Sequence, residues 1–413
     1  LPGQPAFPPP LGLAASWDTD LVARVGAATA RLARAMGVRL VIGPGVSCAD
    51  GTGNGTAVGA ESFGGDPLLA AELTAAHVQG MGAGGIGAGA LGLGADPDRD
   101  ARAGERLLRT RLLPPARAAT LAGVAVVVPA GTANGGVPAH ADPWLLRTLL
   151  RAEWGFTGVV LGDRQAVADL HGRYRNAGSA ADALALAVES GVDAVHADAD
   201  PAGTARTLLE LVRRGALPEW QLDDAVAAVL ELKFRLGLFE DPFPGPAATA
   251  GTDPDQLDAV LDTALAGAAV LLSDPRRLLP LRPGRYAVVP VAAGGPGETE
   301  RAATLAAALQ SALTERRAGT MSRRPASAGR DGPVVAVVTG PPRDSAAEIA
   351  RLATAGSGCV VVLCDPGLHG VDAVLTSLSS VLWCCGADAA VAGGLAELLT
   401  GVRTPAGRLP VPS

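Results

Sequence analysis

Apolar residues along the first half of the chain alternate between helical spacing and short continuous runs. Residues 21–36 carry the helical spacing and residues 38–42 form an apolar run, and further runs occur at 85–93, 122–129, 157–161 and 191–197. Such runs are typical of strands buried on both faces of a parallel sheet that is flanked by helices. The pattern predicts a βα architecture with about five or six strands, fewer than the eight of a closed barrel.

One stretch of this half carries a candidate for chemistry. Asp142 and Pro143 predict the start of a helix that Gly155 ends, and the strand predicted at 157–161 follows directly. Asp163 comes just beyond the carboxyl end of that strand, where a βα barrel presents side chains to substrate. A second reading of Asp163, as the cap of the next helix, stays open on spacing alone.

The second half predicts a separate domain. Residues 245–256 have the Gly, Pro and Thr content of a linker, and apolar runs at 286–291, 334–339, 359–363 and 381–384 alternate with helical patterns beyond it. This alternation favours a mostly parallel sheet between helices. We therefore expect domains at 1–244 and 257–413.

Several segments resemble glycoside hydrolase family 3, the β-glucosidases and β-N-acetylhexosaminidases. Residues 152–167, AEWGFTGVVLGDRQAV, are similar to the family's nucleophile segment GEWGF-DG-VVxSDW-xAV, and residues 61–68 to its ESFGxDPxL signature. Further likenesses occur at NGGVP from Asn134, at RLGLF and at GVRTPAGRLPV. The resemblance implies a partial TIM-type βα barrel followed by an αβα sandwich, with no cofactor and no metal.

The same resemblance implies candidate residues. Asp163 falls on the nucleophile of a retaining β-glycosidase. The expected substrate contacts are residues of the two signatures together with one histidine in the 191–197 strand: Glu61, Asp66, Arg164 and His196. For His196 itself, a histidine buried in the core is the favoured interpretation, because no acid or nucleophile accompanies it in sequence.

Other positions depart from the family pattern. Leu91 and Gly92 stand where the family has a Lys and a His that bind sugar hydroxyls, and residues 56–58 lack its Arg. The loop that should carry the acid/base Glu is shortened, which leaves Asp344 or Glu348 as substitutes. The hexosaminidase alternative needs a His in the region 94–100, and GADPDRD has none.

The sequence therefore favours a family scaffold whose β-glycosidase activity is lost or greatly reduced. One alternative is a working retaining enzyme on an unusual glycoside, with Asp163 as nucleophile. Another is a repurposed enzyme that uses Asp163 as a general acid/base on a non-sugar natural product. The ligand would be a small glycoside or a natural product.

Composition narrows the partners and the compartment. The net charge of −7 is dispersed, which favours neither nucleic acid nor an anionic membrane, and a homodimer is an open expectation. The five cysteines lack metal-ligand spacing, so we expect buried free thiols. The chain begins without Met and without a charged apolar leader, which predicts a cytoplasmic chain that has been trimmed or is a fragment.

Overall fold

The computed structural model describes residues 7–48, 60–94, 104–134, 136–196, 200–243, 254–282, 286–292, 295–316, 333–354, 358–365, 376–377 and 379–410. They form two compact units. The barrel-like unit contains the described residues from 22 to 257 except Ala60. The sandwich unit contains residues 7–21, Ala60 and the described residues from 258 onward. Residues 7–21, which the sequence analysis assigned to the first domain, thus belong to the second unit.

A five-stranded parallel sheet organises the barrel-like unit. Its strands are β1 (Leu40–Gly45), β2 (Gly87–Leu93), β3 (Val126–Pro129), β6 (Val159–Gly162) and β7 (Ala194–Val195), in the order β1-β2-β3-β6-β7. A two-stranded hairpin, β4 (Ala133–Asn134) and β5 (Val137–Pro138), lies between β3 and β6 in sequence. The predicted partial βα barrel is confirmed in this unit, with five parallel strands among its described residues.

Helices connect these strands. They are α2 (Thr19–Ala35), α3 (Pro67–Ala83), α4 (Glu105–Leu107), α5 (Pro114–Leu121), α6 (Arg164–Gly172), α7 (Ala180–Ser190), α8 (Pro201–Arg213) and α9 (Glu219–Arg235), with π-helices at Leu108–Leu112 and Trp144–Glu153. The second π-helix replaces the ordinary helix expected after Asp142, as the bond from Trp154 N to Leu149 O spans five residues. Gly155, with φ of +73°, ends it as predicted.

Alternate residues of the strands face two different apolar layers. Val127 and Val160 belong to the core that α3, α5, α6 and α7 cover, whereas Val126, Val128 and Val159 pack with Leu232 of α9. Successive side chains of a strand point to opposite faces, so α9 lies on the face that a closed barrel would turn inward. The open sheet thereby buries both of its faces without the strands of a complete barrel.

The sandwich unit contains a second five-stranded sheet. Its strands are β8 (Ala269–Ser273), β9 (Ala287–Ala292), β10 (Val334–Thr339), β11 (Cys359–Leu363) and β12 (Ser380–Cys384), in the order β8-β12-β11-β10-β9. Its helices are α1 (Pro10–Ala14), α10 (Pro254–Ala268), α11 (Pro296–Glu315), α12 (Pro342–Thr354) and α13 (Ala392–Thr400). The predicted parallel strands are confirmed, and β8, which the sequence analysis did not predict, pairs antiparallel with β12.

Apolar packing explains why the first described residues join the sandwich unit. Leu11 and Ala15, on and just after α1, pack in the core formed by β8, β10, β11 and β12, which includes the buried Trp383. The main chain adds a hydrogen bond from Arg408 N to Ala15 O at 2.7 Å. An apolar segment is placed where it buries surface, whatever its position in sequence.

The five cysteines are free and buried, as predicted. Cys48 lies in the barrel-like unit, and the other four lie in the sandwich unit. Burial raises the pKa of the Cys48, Cys359 and Cys364 thiols to about 12. Among the described residues, no helix combines the length and apolar character that a membrane crossing requires.

Candidate functional site

Asp163 occupies the predicted place at the carboxyl end of β6. Its carboxylate is exposed, and Oδ1 accepts a hydrogen bond of 2.8 Å from Ala166 N, so the side chain caps α6. The preceding residue is Gly162, where a Cβ would meet Val192 Cγ1 at 2.9 Å. Packing against Val192 therefore favours glycine at the position where the family pattern has Ser.

The main chain of Asp163 is held by a residue that the sequence analysis missed. Nε2 of His140 lies 3.0 Å from Asp163 N, and Nδ1 of the same ring lies 3.2 Å from Ala130 O. His140 is 1% exposed, and burial lowers its pKa to about 4, although the Ala130 carbonyl and the Asp163 charge act in the opposite direction. The ring is therefore neutral near pH 7. His140 follows the β4–β5 hairpin that comes after β3, and Asp163 follows β6, the neighbour of β3 in the sheet, so no signal in the sequence joins the two residues.

His196 is not the core histidine that was expected. It is exposed and follows β7, a strand of two residues, and its main-chain N donates to Gly162 O at 3.0 Å. The expectation was wrong because β7 ends before His196, so that no strand buries the ring. The bond to Gly162 O places the main chain of His196 at the carboxyl end of the sheet, beside Asp163. Arg164, which is also exposed, follows Asp163 and begins α6.

The two signature acids have different surroundings. Asp66 caps α3, since Oδ1 accepts from Leu68 N and Leu69 N at 2.9 and 2.8 Å. Glu61 is exposed, and its main-chain carbonyl accepts from Gly45 N at 2.8 Å at the end of β1. The side chain of Asp66 thus has a structural role in α3, whereas the carboxylate of Glu61 is presented to solvent.

Comparison with known proteins identifies the family. The protein-family model described as glycosyl hydrolase family 3 N terminal domain matches residues 2–232 of this chain. The chain belongs to glycoside hydrolase family 3. It is 30% identical to a periplasmic β-glucosidase of Salmonella typhimurium over 57% of this chain and 32% of that protein. It is 33% identical to a lysosomal β-glucosidase of Dictyostelium discoideum over 54% of this chain and 29% of that protein.

Solved structures of family 3 extend the likeness to the whole chain. The structure of β-glucosidase from Listeria innocua in complex with glucose superposes with a TM-score of 0.81 at 26% identity, over 99% of this chain and 63% of that one. The chain thus spans less than two thirds of this family 3 structure and about a third of the curated relatives.

The family's hydroxyl-binding positions on β2 are apolar here and packed accordingly. Leu91 packs in the apolar layer of Val126, Val128, Val159 and Leu232. Gly92 has φ of +90° at a register shift in the pairing with β3, and the space beside it is open. Neither residue can donate a side-chain hydrogen bond to a sugar. The positions of the missing Arg, 56–58, and residues 95–100 lie outside the described residues.

The two acid/base substitutes lie on α12 in the sandwich unit. Asp344 is exposed in the first turn of this helix. Both carboxylate oxygens of Glu348 accept from Arg351, at 2.5 and 2.8 Å, and the guanidinium lowers the pKa of Glu348. A general acid needs a raised pKa near the working pH, so this contact leaves Glu348 poorly suited to the role.

Two further features bear on ligands. The described residues contain no group of His, Cys, Asp or Glu that could hold a metal ion. A cavity of about 280 Å³ lies within the sandwich unit, lined mainly by apolar residues such as Phe7, Leu265, Val391 and Leu395 together with Cys384 and Cys385. None of the candidate residues above lines this cavity.

Proposed function

We propose that this chain is a β-glucosidase-like member of family 3 whose hydrolysis of ordinary β-glucosides is lost or strongly reduced. The observation that carries the proposal is the packing of Leu91 against the apolar layer beneath α9, a layer that also contains Val159 of β6, the strand that Asp163 follows. A sugar bound above these strands would have hydroxyls taken from water without a donor, at roughly 1 to 3 kcal/mol each. Asp163, in contrast, stays exposed at the end of β6.

The acid/base side supports the same conclusion. A retaining glycosidase pairs its nucleophile with a second carboxyl group roughly 5 to 5.5 Å away that acts as acid and then as base. A positioned general acid contributes roughly 10²- to 10⁴-fold in rate. The pairing of Glu348 with Arg351 removes one of the two substitutes for this role. The combined loss, with the missing hydroxyl contacts, amounts to at least roughly 10⁵-fold.

Hydrolysis of nitrophenyl β-glucoside and nitrophenyl β-N-acetylglucosaminide tests the proposal. We expect rates near background, and we expect Asp163→Asn to change them little. A good leaving group bypasses the missing acid but not the missing hydroxyl contacts. Robust hydrolysis with retained anomeric configuration that Asp163→Asn abolishes would overturn the proposal.

A working hydrolase on an unusual glycoside is the second candidate. The exposed carboxylate of Asp163, with its main chain fixed on both sides, favours it. An activated fluorosugar, 2,4-dinitrophenyl 2-deoxy-2-fluoro-β-glucoside, needs no general acid and traps a glycosyl ester on the nucleophile. Rapid ester formation on Asp163, located by mass spectrometry and absent from Asp163→Asn, would favour this candidate.

A further inference from the structure

Strands β3 and β6 separate just where the candidate site begins. They pair at only two positions, Val126 with Val159 and Val127 with Val160. The segment from Val128 to Ala130 and the segment from Leu161 to Asp163 therefore continue without a rung between the strands. One side chain, the imidazole of His140, connects their ends through Ala130 O and Asp163 N.

The two contacts determine which ring nitrogen carries the proton. A carbonyl oxygen only accepts, so Nδ1 of His140 must donate to Ala130 O at 3.2 Å. A main-chain N–H only donates, so Nε2 must accept from Asp163 N at 3.0 Å. A single neutral tautomer satisfies both bonds. The residue is 1% exposed, so its ring is shielded from bulk solvent.

The two hydrogen bonds of His140, here called the His140 bridge, complement the other contacts that fix the turn between β6 and α6. Gly162 O accepts from His196 N, which fixes the peptide before Asp163 from the β7 side. Asp163 Oδ1 accepts from Ala166 N, which orients the carboxylate over the first turn of α6. Asp163 O accepts from Val167 N within α6, and Asp163 N donates to His140.

We propose that His140 is a positioning residue that fixes the direction of the Asp163 carboxylate by accepting from its main-chain N–H across the gap between β3 and β6. This inference rests on the proposed function in one respect, that Asp163 is the group the site presents. It goes further because it assigns the orientation of that group to a buried side chain 23 positions earlier, which would contact no sugar.

Three variants test the inference. His140→Leu removes the acceptor and keeps an apolar side chain, whereas in His140→Gln the side-chain oxygen can accept from Asp163 N and the amide can donate to Ala130 O. The control is His171→Leu. His171 lies on α6, the same helix that Asp163 caps, and its Nδ1 also contacts a carbonyl, Ala177 O at 3.0 Å, but the residue is exposed.

The first readout is hydrogen exchange of the Asp163 amide, followed by NMR on protein with ¹⁵N-labelled aspartate. We expect exchange about tenfold faster or more in His140→Leu, from loss of one buried hydrogen bond, with near wild-type exchange in His140→Gln and His171→Leu. A folded His140→Leu protein with unchanged exchange at Asp163 would overturn the inference. If His140→Leu does not fold, failure of His140→Gln to protect this amide would overturn it.

The second readout separates the inference from the proposed function. The proposed function expects little or no labelling of the wild-type protein. Where the fluorosugar does label Asp163, as the second candidate requires, the labelling rate should fall about tenfold or more in His140→Leu and recover in His140→Gln, because the nucleophile loses and regains its orientation. A wild-type protein that the fluorosugar never labels would count against Asp163 as a nucleophile. The exchange measurement would still decide whether His140 positions it.

Discussion

At the scale of single residues, the packing of Leu91 and the backbone of Gly92 determine whether sugar contacts could be restored. Leu91 is half-buried and packs against a layer with Val126, Val128 and Leu232, so a lysine there would lose these apolar contacts and bring an ammonium group close to apolar side chains. Gly92 adopts φ of +90°, which a residue with a Cβ adopts at a cost of about 1 to 2 kcal/mol. The side chains around Leu91 and the backbone at Gly92 thus suit the two residues present, not a lysine and a histidine.

We therefore expect the variant Leu91→Lys/Gly92→His to lose stability without gaining β-glucosidase activity. The free energy of unfolding should fall by about 2 kcal/mol, from the lost apolar contacts, the partly desolvated charge and the backbone strain. Urea unfolding and nitrophenyl β-glucoside assays of the double variant measure both effects. A stable variant with activity clearly above that of the wild type would show that only the two side chains had been missing.

Two histidines respond to acid in the same direction. Burial lowers the pKa of His77 and His140 to about 4, against an ordinary value of 6.5. Between about pH 6.5 and pH 4 the two imidazoles are protonated in the unfolded chain but neutral in the folded state. The free energy of unfolding is therefore highest above about pH 6.5 and declines as the pH falls toward 4. Lowering the pH from 7 to 5 costs about 2 kcal/mol for each ring whose pKa is about 4.

At the scale of elements, close approach of α2 and α3 explains one glycine in each helix, Gly26 in α2 and Gly80 in α3. A Cβ on Gly80 would overlap the carbonyl oxygen of Ala23, and a Cβ on Gly26 would meet His77 O at 2.6 Å. The two helices therefore touch through their main chains. Gly82, in the same helix two residues after Gly80, has open space where its Cβ would be.

Gly80→Ala and Gly82→Ala form a matched pair. Gly80→Ala should destabilise the protein by about 1 to 3 kcal/mol, since α2 must move away from α3. Gly82→Ala should stabilise it by about 0.5 to 1 kcal/mol, because alanine loses less backbone entropy in a helix. Urea unfolding of both variants decides the matter, and equal effects would contradict the backbone contact.

The sequence predicted most elements because local pattern and tertiary burial agree in them. Strands β10 and β11 have the predicted bounds, as continuous apolar runs suit strands that are buried on both faces. The sequence-based predictions failed where contacts between distant parts of the chain determine the length, direction or position of an element. The two-residue β7 leaves His196 exposed, β8 runs antiparallel, and α9 covers the inward face of the sheet.

The candidate site was predictable to the same extent. Asp163 follows a strand, and strand ends can be read from apolar spacing. The role of His140 depends on β3 and β6 being neighbours and on their pairing stopping after Val127 and Val160. Neither fact leaves a mark on the residues around His140, so only the folded chain shows the bridge.

At the scale of the whole molecule, the cysteines allow the unfolding of each unit to be followed separately, and the two buried histidines lie in only one of the units. Cys48 lies in the barrel-like unit together with His77 and His140, whereas Cys359, Cys364, Cys384 and Cys385 lie in the sandwich unit. The described residues of the sandwich unit contain no histidine. Asp142 and Asp193 have carboxyl pKa values that burial raises, and they oppose the histidines at lower pH, so pH 5 is a suitable limit.

We expect acid to destabilise the barrel-like unit selectively. The measurement is urea unfolding at pH 7 and at pH 5 in the presence of dithiodipyridine, which reacts with exposed thiols at both pH values. Mass spectrometry then gives the urea concentration at which each cysteine is half labelled, its midpoint. The Cys48 midpoint should fall by about 1 M urea or more, given about 4 kcal/mol from two histidines and an ordinary urea dependence. The four cysteines of the sandwich unit should shift together and by less. His77→Gln removes one titrating ring and should reduce the Cys48 shift by about half. Equal shifts for all five cysteines would contradict the assignment, because the acid effect would then not follow the two buried rings.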